Sequence, residues 1–486
     1  MKNKIDVFLP HSGYQHTLKS IEELQKDQLV NKIFLITTDN SLEEVKGAYS
    51  IYTDNFNSTK TIRQIAENSS ADYVLIFTQD DYLEMGQHAL TRFFNVADST
   101  GAGMVYSNYY EIKNGEKTFH PVIDYQLGSL RDDFNFGHLL FYNNNALKNA
   151  VAEMKKEYTY AGLYDLRLKV SQTHQILRMP EFLYTSIELD SRDTGEKQFD
   201  YVDPKNRKVQ IEMEQAVTEH LKAIDAYLPP KFETINFEND NFNLEASVII
   251  PVFNRANTIK DAVVSVMNQK TDFDFNLIVV DNHSTDGTTE LLTRLSEKYS
   301  NLIHIIPERT DLGIGGCWNV AVDDERCGRF SLQLDSDDIY ANENTVQTIV
   351  EKFREEKCAM VIGSYRITNF DLEDIPPGLI DHKEWTPDNG RNNALRINGL
   401  GAPRAFYTPL LRKIRIPNVS YGEDYAVGLE ISRNYQIGRI YTPIYLCRRW
   451  NGNSDASLNI EKTNAYNTYK DRVRTIEVLA RQRMNK

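Results

Sequence analysis

Residues 246–282 read ASVIIPVFNRANTIKDAVVSVMNQKTDFDFNLIVVDN and contain the pattern of a strand, a helix and a second strand. The runs ASVIIPV and NLIVVD are short, apolar and rich in β-branched residues, which is typical of buried parallel strands. Between them, NTIKDAVVSVMNQ places apolar residues at helical spacing. Such a unit predicts a mostly parallel sheet flanked by helices, so we expect an α/β fold.

The same order of elements occurs twice along the chain. VFLP and KIFLITTD near the N-terminus correspond to VIIPVF and LIVVDN, and FTQDD corresponds to LQLDSDD. Asp39 follows Pro10 by 29 positions, and Asp281 follows Pro251 by 30. Agreement in both order and spacing indicates an internal repeat.

The length of the chain also favours two domains. A chain of 486 residues exceeds what one hydrophobic core supports, since single cores stop growing near ~250–300 residues. The helical pattern of residues 203–228 ends at two prolines, which cannot continue a helix. We therefore expect a first domain at 1–228, a linker at 229–244 and a second domain at 245–486.

Composition excludes several classes of function. The formal net charge of −14 disfavours nucleic acid as a partner, because phosphate backbones repel acidic surfaces. No apolar run is long enough to span a bilayer, and the N-terminus lacks the apolar core of a secretion signal, so we expect a cytoplasmic protein. The four cysteines form no CxxC pair, so we expect free thiols.

Acidic residues follow the strands of the second copy. In open α/β sheets, ligands bind beyond the carboxyl ends of the strands, where the second copy places Pro251, Phe253, Asn254, Asp281, Asp335, Asp337 and Asp338. Three carboxylates so close in sequence repel one another unless a cation lies among them. Mn²⁺ and Mg²⁺ take carboxylate and phosphate oxygens as ligands, so we expect a divalent cation here. Capping of the next helix is the alternative.

A second acidic pair, Glu423-Asp424, opens a predicted helix in SYGEDYAVGLEIS. Carboxylates at a helix N-terminus are stabilised as anions, so the pair fits a capping role. The position also suits a general base held on a rigid element.

Five segments together resemble the family 2 glycosyltransferases, which have the GT-A fold. The resemblance covers residues 245–456 and rests on SVIIPVFNR, LIVVDNHSTDGT, RTDLGIGGCWNVAV, LQLDSDD and GEDYAVGLEIS. It implies two tandem GT-A-like domains, because the N-terminal copy shares the same order of elements.

The resemblance also implies roles for individual residues. Those expected to bind the nucleotide are Pro251, Phe253, Asn254, Asp281, Asp311, Gly313, Asn319 and Asp335. Asp337 and Asp335 match the metal-binding DxD motif, and Asp424 matches the catalytic base, supported by Glu423. In the predicted acceptor region, Trp385 is a candidate for stacking on a sugar and Arg404 for binding an anionic group. A packed loop is the alternative for Trp385.

The implied reaction is inverting transfer from a nucleotide sugar, expected to be a UDP-sugar, to a hydroxyl of a glycan or lipid-linked acceptor in surface polysaccharide biosynthesis. Lipid-linked acceptors leave peripheral contact with a membrane open. The chain lacks the histidine with which many relatives complete the metal shell; Asn451, Asn453, Ser454 or water are the substitutes. CRRW resembles part of the QxxRW motif of processive synthases, but Leu446 replaces the glutamine.

The N-terminal copy is expected to be degenerate. Thr78 replaces the first acid of DxD, although Asp80 and Asp81 remain, and Gly162 and Leu163 fall opposite Glu423 and Asp424. Asp165 is a substitute base if its helix begins later, which leaves a second active transferase as the alternative. Another alternative is that both copies are non-catalytic carbohydrate-binding scaffolds.

The C-terminal segment 461–486 reads as a long amphipathic helix with basic residues at Lys470, Arg472, Arg474, Arg481 and Arg483. We expect an outer helix with a solvated basic face. Binding to a membrane surface is the alternative.

Overall fold

The computed structural model describes residues 4–80, 82–113, 115–187, 202–239, 241–450, 453 and 458–486. This part of the chain forms two nine-stranded sheets flanked by helices. The strands of the first sheet are β1 (Ile5–Pro10), β2 (Val30–Thr37), β3 (Tyr49–Tyr52), β4 (Tyr73–Phe77), β5 (Leu83–Met85), β6 (Met104–Lys113), β7 (Glu116–His120), β8 (Leu139–Asn143) and β9 (Ile176–Ile187). Its helices are α1 (Gln15–Lys26), α2 (Thr59–Asn68), α3 (Ala89–Thr100), α4 (Asn144–Ala152) and α5 (Gly162–Thr173).

Helix α6 (Arg207–Ala223) lies between the two sheets in sequence. The strands of the second sheet are β10 (Ala246–Val252), β11 (Phe275–Asp281), β12 (Leu302–Ile305), β13 (Phe330–Gln333), β14 (Ile339–Tyr340), β15 (Met360–Thr368), β16 (Asp374–Ile380), β17 (Arg404–Tyr407) and β18 (Ile437–Arg448). Its helices are α7 (Ile259–Met267), α8 (Thr288–Lys298), α9 (Ile314–Asp323), α10 (Thr345–Glu356), α11 (Gly390–Asn393), α12 (Thr408–Ile414), α13 (Glu423–Ser432) and α14 (Ile460–Met484).

The two sheets have the same topology. The first has the order β3-β2-β1-β4-β8-β6-β9-β5 and the second β12-β11-β10-β13-β17-β15-β18-β14, with β7 and β16 pairing to β6 and β15. The predicted repeat and the α/β class are therefore confirmed. The sheets are mixed, because β8 and β17 run antiparallel to both of their neighbours.

The two halves share a hydrophobic core. One cluster of buried side chains joins the first half to the second through Leu130, Leu168, Leu221, Ile249, Trp385 and Val478. The segment predicted as a linker packs on the second half, where Ile235 N donates to the carbonyl of Lys357 and the Phe237 ring contacts Phe330. The halves are thus packed against each other.

Helix α14 lies inside this interface, so the expectation of a solvated basic face is wrong for most of its basic residues. Arg474 and Arg481 are 0% exposed, and Lys470 is buried. Arg474 donates to Asp471 (2.7 Å) and Arg481 to Glu477 (2.7 Å), which offsets the cost of burying the guanidinium groups. Arg472 and Arg483 are the basic residues of the predicted five that are exposed.

Contacts from the first half fix α14 in place. Ser129 Oγ donates to Asp471 Oδ2 (2.9 Å), and Gly128 N donates to Thr475 Oγ1 (2.9 Å). A Cβ atom on Gly128 would overlap the backbone of Thr475 and lie 2.5 Å from the carbonyl oxygen of Asp471. A glycine is therefore required where the first half contacts α14.

Replacement of Gly128 by alanine should destabilise the protein by about 3 kcal/mol, because backbone atoms of α14 have to move to admit the methyl group. Urea unfolding measures the change. Gly115→Ala is the control, because a methyl group at this position would contact nothing. The substitution should lower the stability only through the strain of a positive φ, by about 1 kcal/mol. Equal losses in the two variants would show that the contact between Gly128 and α14 is loose.

Within the described residues, no helix combines the length and apolar character needed to cross a membrane. The four cysteines, all within the described residues, form no disulfide, as predicted, and Cys317, Cys327 and Cys358 are buried.

Candidate active site

Strands β10, β11 and β13 run parallel, so the loops that follow them meet at one edge of the second sheet. Asn254 joins the loops after β10 and β11: its Oδ1 accepts from Thr285 N (2.8 Å), and its N donates to Ser284 Oγ (2.9 Å). Phe253, beside it, is 55% exposed. Pro251 pairs with Val280 just before these loops. The three residues predicted to line a nucleotide pocket therefore lie at this edge.

Asp281 ends β11 but its carboxylate is fully buried and engaged within the protein. It accepts hydrogen bonds from Ser284 N (3.0 Å), from the hydroxyl of Thr289 and from His304 Nε2 (3.4 Å). Burial by itself would raise the pKa of Asp281, but the hydrogen bonds outweigh it and hold the pKa well below its ordinary value. In this structure Asp281 is an anion that fixes the loop after β11, and its predicted contact with a nucleobase stays a prediction.

The three aspartates after β13 have different surroundings. Asp338 is buried and accepts a hydrogen bond from Arg448 N (2.7 Å), so it fixes the end of β18. Asp335 Oδ1 accepts from Gln333 Nε2 (2.7 Å). Burial raises the pKa of both Asp335 and Asp338, and the charge of Asp337 raises each further. Carboxylates crowded in this way favour a cation among them.

Asp337 is oriented through one of its oxygens. Trp450 Nε1 and Asn453 Nδ2 each donate to Oδ2 at 3.1 Å, and Arg255 Nε lies 3.9 Å from the same oxygen. Among the described residues, no hydrogen bond reaches Oδ1. A carboxylate held by donors on one oxygen can present the other to a metal ion.

These residues fit a divalent cation that takes part of its shell from a substrate. No group of three His, Cys, Asp or Glu side chains within the described ranges could hold a metal alone. Mg²⁺ typically uses one or two carboxylates together with phosphate oxygens and water. Asp337 and Asp335 can supply those carboxylates. Asn453 donates to Asp337 Oδ2 and accepts from Trp450 N, and its expected role as a metal ligand stays a prediction. Asn451 and Ser454 lie outside the described residues.

Arg404 connects this acidic edge to the predicted catalytic pair. Its Nε lies 3.1 Å from Asp424 Oδ2, and the charge of Asp335 also acts on its guanidinium group. Sequence reasoning placed Arg404 in the acceptor region, and the structure places it between two of the acids. Asp335, Asp337 and Asp424 therefore share one site.

Helix α13 presents the catalytic pair at its N-terminus. Gly422, with φ +80°, directly precedes Glu423 and gives the backbone the left-handed turn from which the helix begins. Burial raises the pKa of Glu423 well above its ordinary value, and the charge of Asp424 adds to the effect. Glu423 is buried, whereas the Asp424 side chain is 21% exposed, so Asp424 is the more accessible carboxylate of the pair.

The segment 416–420 that leads to α13 is held by residues predicted to contact the nucleotide. Asn319 bonds the backbone of Ile416 in both directions, donating to its O (2.7 Å) and accepting from its N (3.1 Å). A Cβ on Gly313 would lie 2.7 Å from Val419 C, and one on Gly315 would overlap the carbonyl of Pro417. Gly313 and Asn319 thus have a structural task in placing the catalytic helix. Asp311 is exposed and pairs with Arg309 (2.6 Å).

Trp385 does not join the site as a sugar-stacking residue. Its ring is 1% exposed, and the guanidinium group of Arg439 lies 4.9 Å from the ring centroid. The backbone of Gly390 packs against the indole so closely that a Cβ there would overlap it. With its surface enclosed, the ring has no face open to a ligand, so the packed-loop alternative describes Trp385.

Sequence reasoning missed the groups that surround Asp337. Arg448 Nε donates to the carbonyl of Asp337 (2.6 Å), and Trp450 Nε1 donates to its carboxylate. The signal lies in CRRW, where Arg448 ends the last strand and Arg449 and Trp450 follow it. Arg255 carried no signal beyond its place after β10.

In the first copy, the described residues equivalent to the candidate site make contacts within the protein. Asp80 accepts from Ser12 N (2.7 Å) and Thr17 Oγ1 (3.1 Å), so its carboxylate fixes the loop after β1. Helix α5 begins at Gly162, as the alignment with Glu423 predicts, and a Cβ there would overlap the backbone of Thr59. Asp165 is buried, and burial raises its pKa to about 6. Asp81 lies outside the described residues.

Two curated glycosyltransferases are similar to part of this chain. Poly(ribitol-phosphate) beta-glucosyltransferase of Bacillus spizizenii is 24% identical over 241 residues, covering 48% of this chain and 37% of that protein. Poly(ribitol-phosphate) beta-N-acetylglucosaminyltransferase TarS of Staphylococcus aureus is 27% identical over 175 residues, covering 35% and 28%. The chain thus spans less than half the length of either relative.

Among solved structures, S. aureus TarS 1-349 in complex with UDP-GlcNAc aligns with a TM-score of 0.37 at 23% identity, covering 49% of this chain and 72% of that one. The model of Glycosyl transferase family 2 matches residues 247–413, which include the loops after β10, β11 and β13. Residues 247–413 of the second half are therefore similar to glycosyl transferase family 2.

Proposed function

We propose that the second half is an inverting, divalent-cation-dependent glycosyltransferase that moves a sugar from a UDP-sugar to a hydroxyl of a glycan or lipid-linked acceptor. The observation that carries the proposal is the meeting of Asp424 and Asp335 at Arg404, with Asp337 near Asp335, at the carboxyl edge of the sheet. Transfer to a hydroxyl requires a base and a stabilised leaving group close together, and these residues supply both.

Each group has a task in a single displacement. Asp424 accepts the proton of the acceptor hydroxyl as that oxygen attacks the anomeric carbon from the face opposite the leaving diphosphate, which inverts the configuration. A cation held by Asp337 with Asp335 would stabilise negative charge on the diphosphate. Arg404 holds Asp424 in position through their ion pair.

The substrate class is supported by the relatives. The two curated relatives described above are, by name, transferases that glycosylate poly(ribitol-phosphate), a polymer that has hydroxyl groups. One of them, TarS, has been solved with UDP-GlcNAc. We therefore propose a role in the synthesis of a surface polysaccharide, with the first copy as a non-catalytic partner of the second.

Release of nucleoside diphosphate from a panel of UDP- and GDP-sugars with Mn²⁺ tests the proposal. We expect release from at least one UDP-sugar. Asp80→Asn, at the DxD position of the first copy, should leave turnover within about twofold of wild type, because that carboxylate only fixes a loop. Loss of one of two products in Asp80→Asn would reveal a second active site. Absence of both release and nucleotide binding would favour the carbohydrate-binding scaffold.

A further inference from the structure

Three tyrosines gather where α14 passes the N-terminus of α13. Tyr421, which precedes Gly422, stacks on Tyr466 of α14 with ring centroids 4.1 Å apart and planes 10° apart. Tyr469 lies one turn further along α14. All three rings are partly exposed. We refer to Tyr421, Tyr466 and Tyr469 as the tyrosine wall.

The tyrosine wall adjoins the catalytic pair. A Cβ built on Gly422 would lie 3.4 Å from Tyr469 Cε1, and Glu423 is the next residue. Burial raises the pKa of Tyr469, and the charges of Glu423 and Asp424 raise it further, which requires both carboxylates to be near the phenol. The wall is therefore close enough to Asp424 for one ligand to contact both.

Polar groups that can form hydrogen bonds with hydroxyls lie next to the tyrosine wall. Lys470 Nζ lies 4.3 Å from the Tyr421 ring centroid and donates to Asn398 O (2.6 Å). Asn398 Nδ2 donates to Asn467 Oδ1 (3.2 Å). Aromatic faces bordered by amides and hydroxyls suit a sugar ring, whose C–H face packs on the aromatic rings while its hydroxyls form hydrogen bonds.

The tyrosine wall and the predicted donor groups belong to different elements around Asp424. Arg404 and Asp335 belong to the strand-end edge that holds the predicted donor groups, whereas the wall is formed mainly by α14. In an inverting displacement the acceptor approaches opposite the leaving group. We infer that the tyrosine wall is an acceptor subsite that binds a sugar ring of the acceptor glycan; this inference rests on the proposed glycosyl transfer.

Helix α14 lies outside the family-matched residues 247–413, and the first copy holds it beside the base. Asn464 Nδ2 donates to Pro121 O (2.6 Å), and Gln126 Nε2 donates to Thr468 O (3.2 Å). These bonds fix the turns of α14 that carry the wall. The first copy thereby takes part in acceptor binding through α14.

Saturation-transfer NMR with methyl β-glycosides of glucose, galactose and N-acetylglucosamine tests the subsite on the full chain. We expect at least one glycoside to bind wild type and to bind Tyr466→Ala about tenfold more weakly, because a stacking surface is lost. Tyr466→Phe should retain binding. Tyr49→Ala removes an exposed tyrosine elsewhere and should change nothing.

Titration with UDP separates failure of the subsite from failure of the proposed function. UDP should bind wild type and Tyr466→Ala equally, which also shows that the variant is folded. Equal glycoside binding by wild type and Tyr466→Ala, or no binding of any of the three glycosides by wild type, would overturn the subsite. Failure of wild type to bind UDP would speak against the proposed transferase instead.

Discussion

Replacement of Asp424 by asparagine should lower kcat for glycosyl transfer by about 10²–10⁴-fold, the range expected when a general base is removed. The amide has nearly the same shape as the carboxylate but cannot accept the hydroxyl proton. The substitution also removes the negative partner of Arg404, whose Nε lies 3.1 Å from Asp424 Oδ2. Donor binding depends on other residues, so the KM for the nucleotide sugar should change little.

The control for Asp424→Asn is Glu430→Gln, which neutralises an exposed carboxylate on the same helix. It should retain activity within about twofold. Initial rates at saturating donor, with product followed by mass spectrometry, measure both variants. If the activity of Asp424→Asn were near that of wild type, another group would have to be the base, and Glu423 would be the first to test.

Much of the fold could be predicted because it depends on local patterns. The strands ending near Pro10 and Pro251 are continuous apolar runs. The similar spacing of Asp39 and Asp281 after those strands reflects one topology repeated in two sheets. Periodicity and spacing are properties of the chain itself, so one sequence suffices to detect them.

Features that depend on packing between distant segments could not be predicted. The polar residues of α14 suggested a solvated face, yet Arg474 and Arg481 are buried because acids on the same helix pair with them inside the interface. Trp385 occupies a loop rich in polar residues, and only the fold reveals that Arg439 covers its ring. The choice between a core residue and a ligand-binding residue requires knowledge of the neighbours.

Some residues of the candidate site could be predicted from the sequence and others could not. The acids at Asp335, Asp337 and Asp424 could be selected from sequence because each follows a strand or opens a helix. Their orienting partners could not, because Trp450 reaches Asp337 across 113 positions of the chain. Such pairings are set by the crossing of β18 beside β14 at the end of the sheet.

Replacement of Asp337 by asparagine should lower kcat by about 10²–10³-fold, the loss expected when stabilisation of a developing negative charge is removed. Excess Mn²⁺ should not restore the rate, because the variant lacks an anionic ligand. Trp450→Phe keeps the carboxylate and loses only a hydrogen bond to Oδ2, so it should require about tenfold more Mn²⁺ but recover at saturation. Mn²⁺ titrations of activity and of the free-ion EPR signal distinguish a ligand from a residue that orients it. Full recovery of Asp337→Asn in excess Mn²⁺ would show that Asp335 or the substrate holds the cation without Asp337.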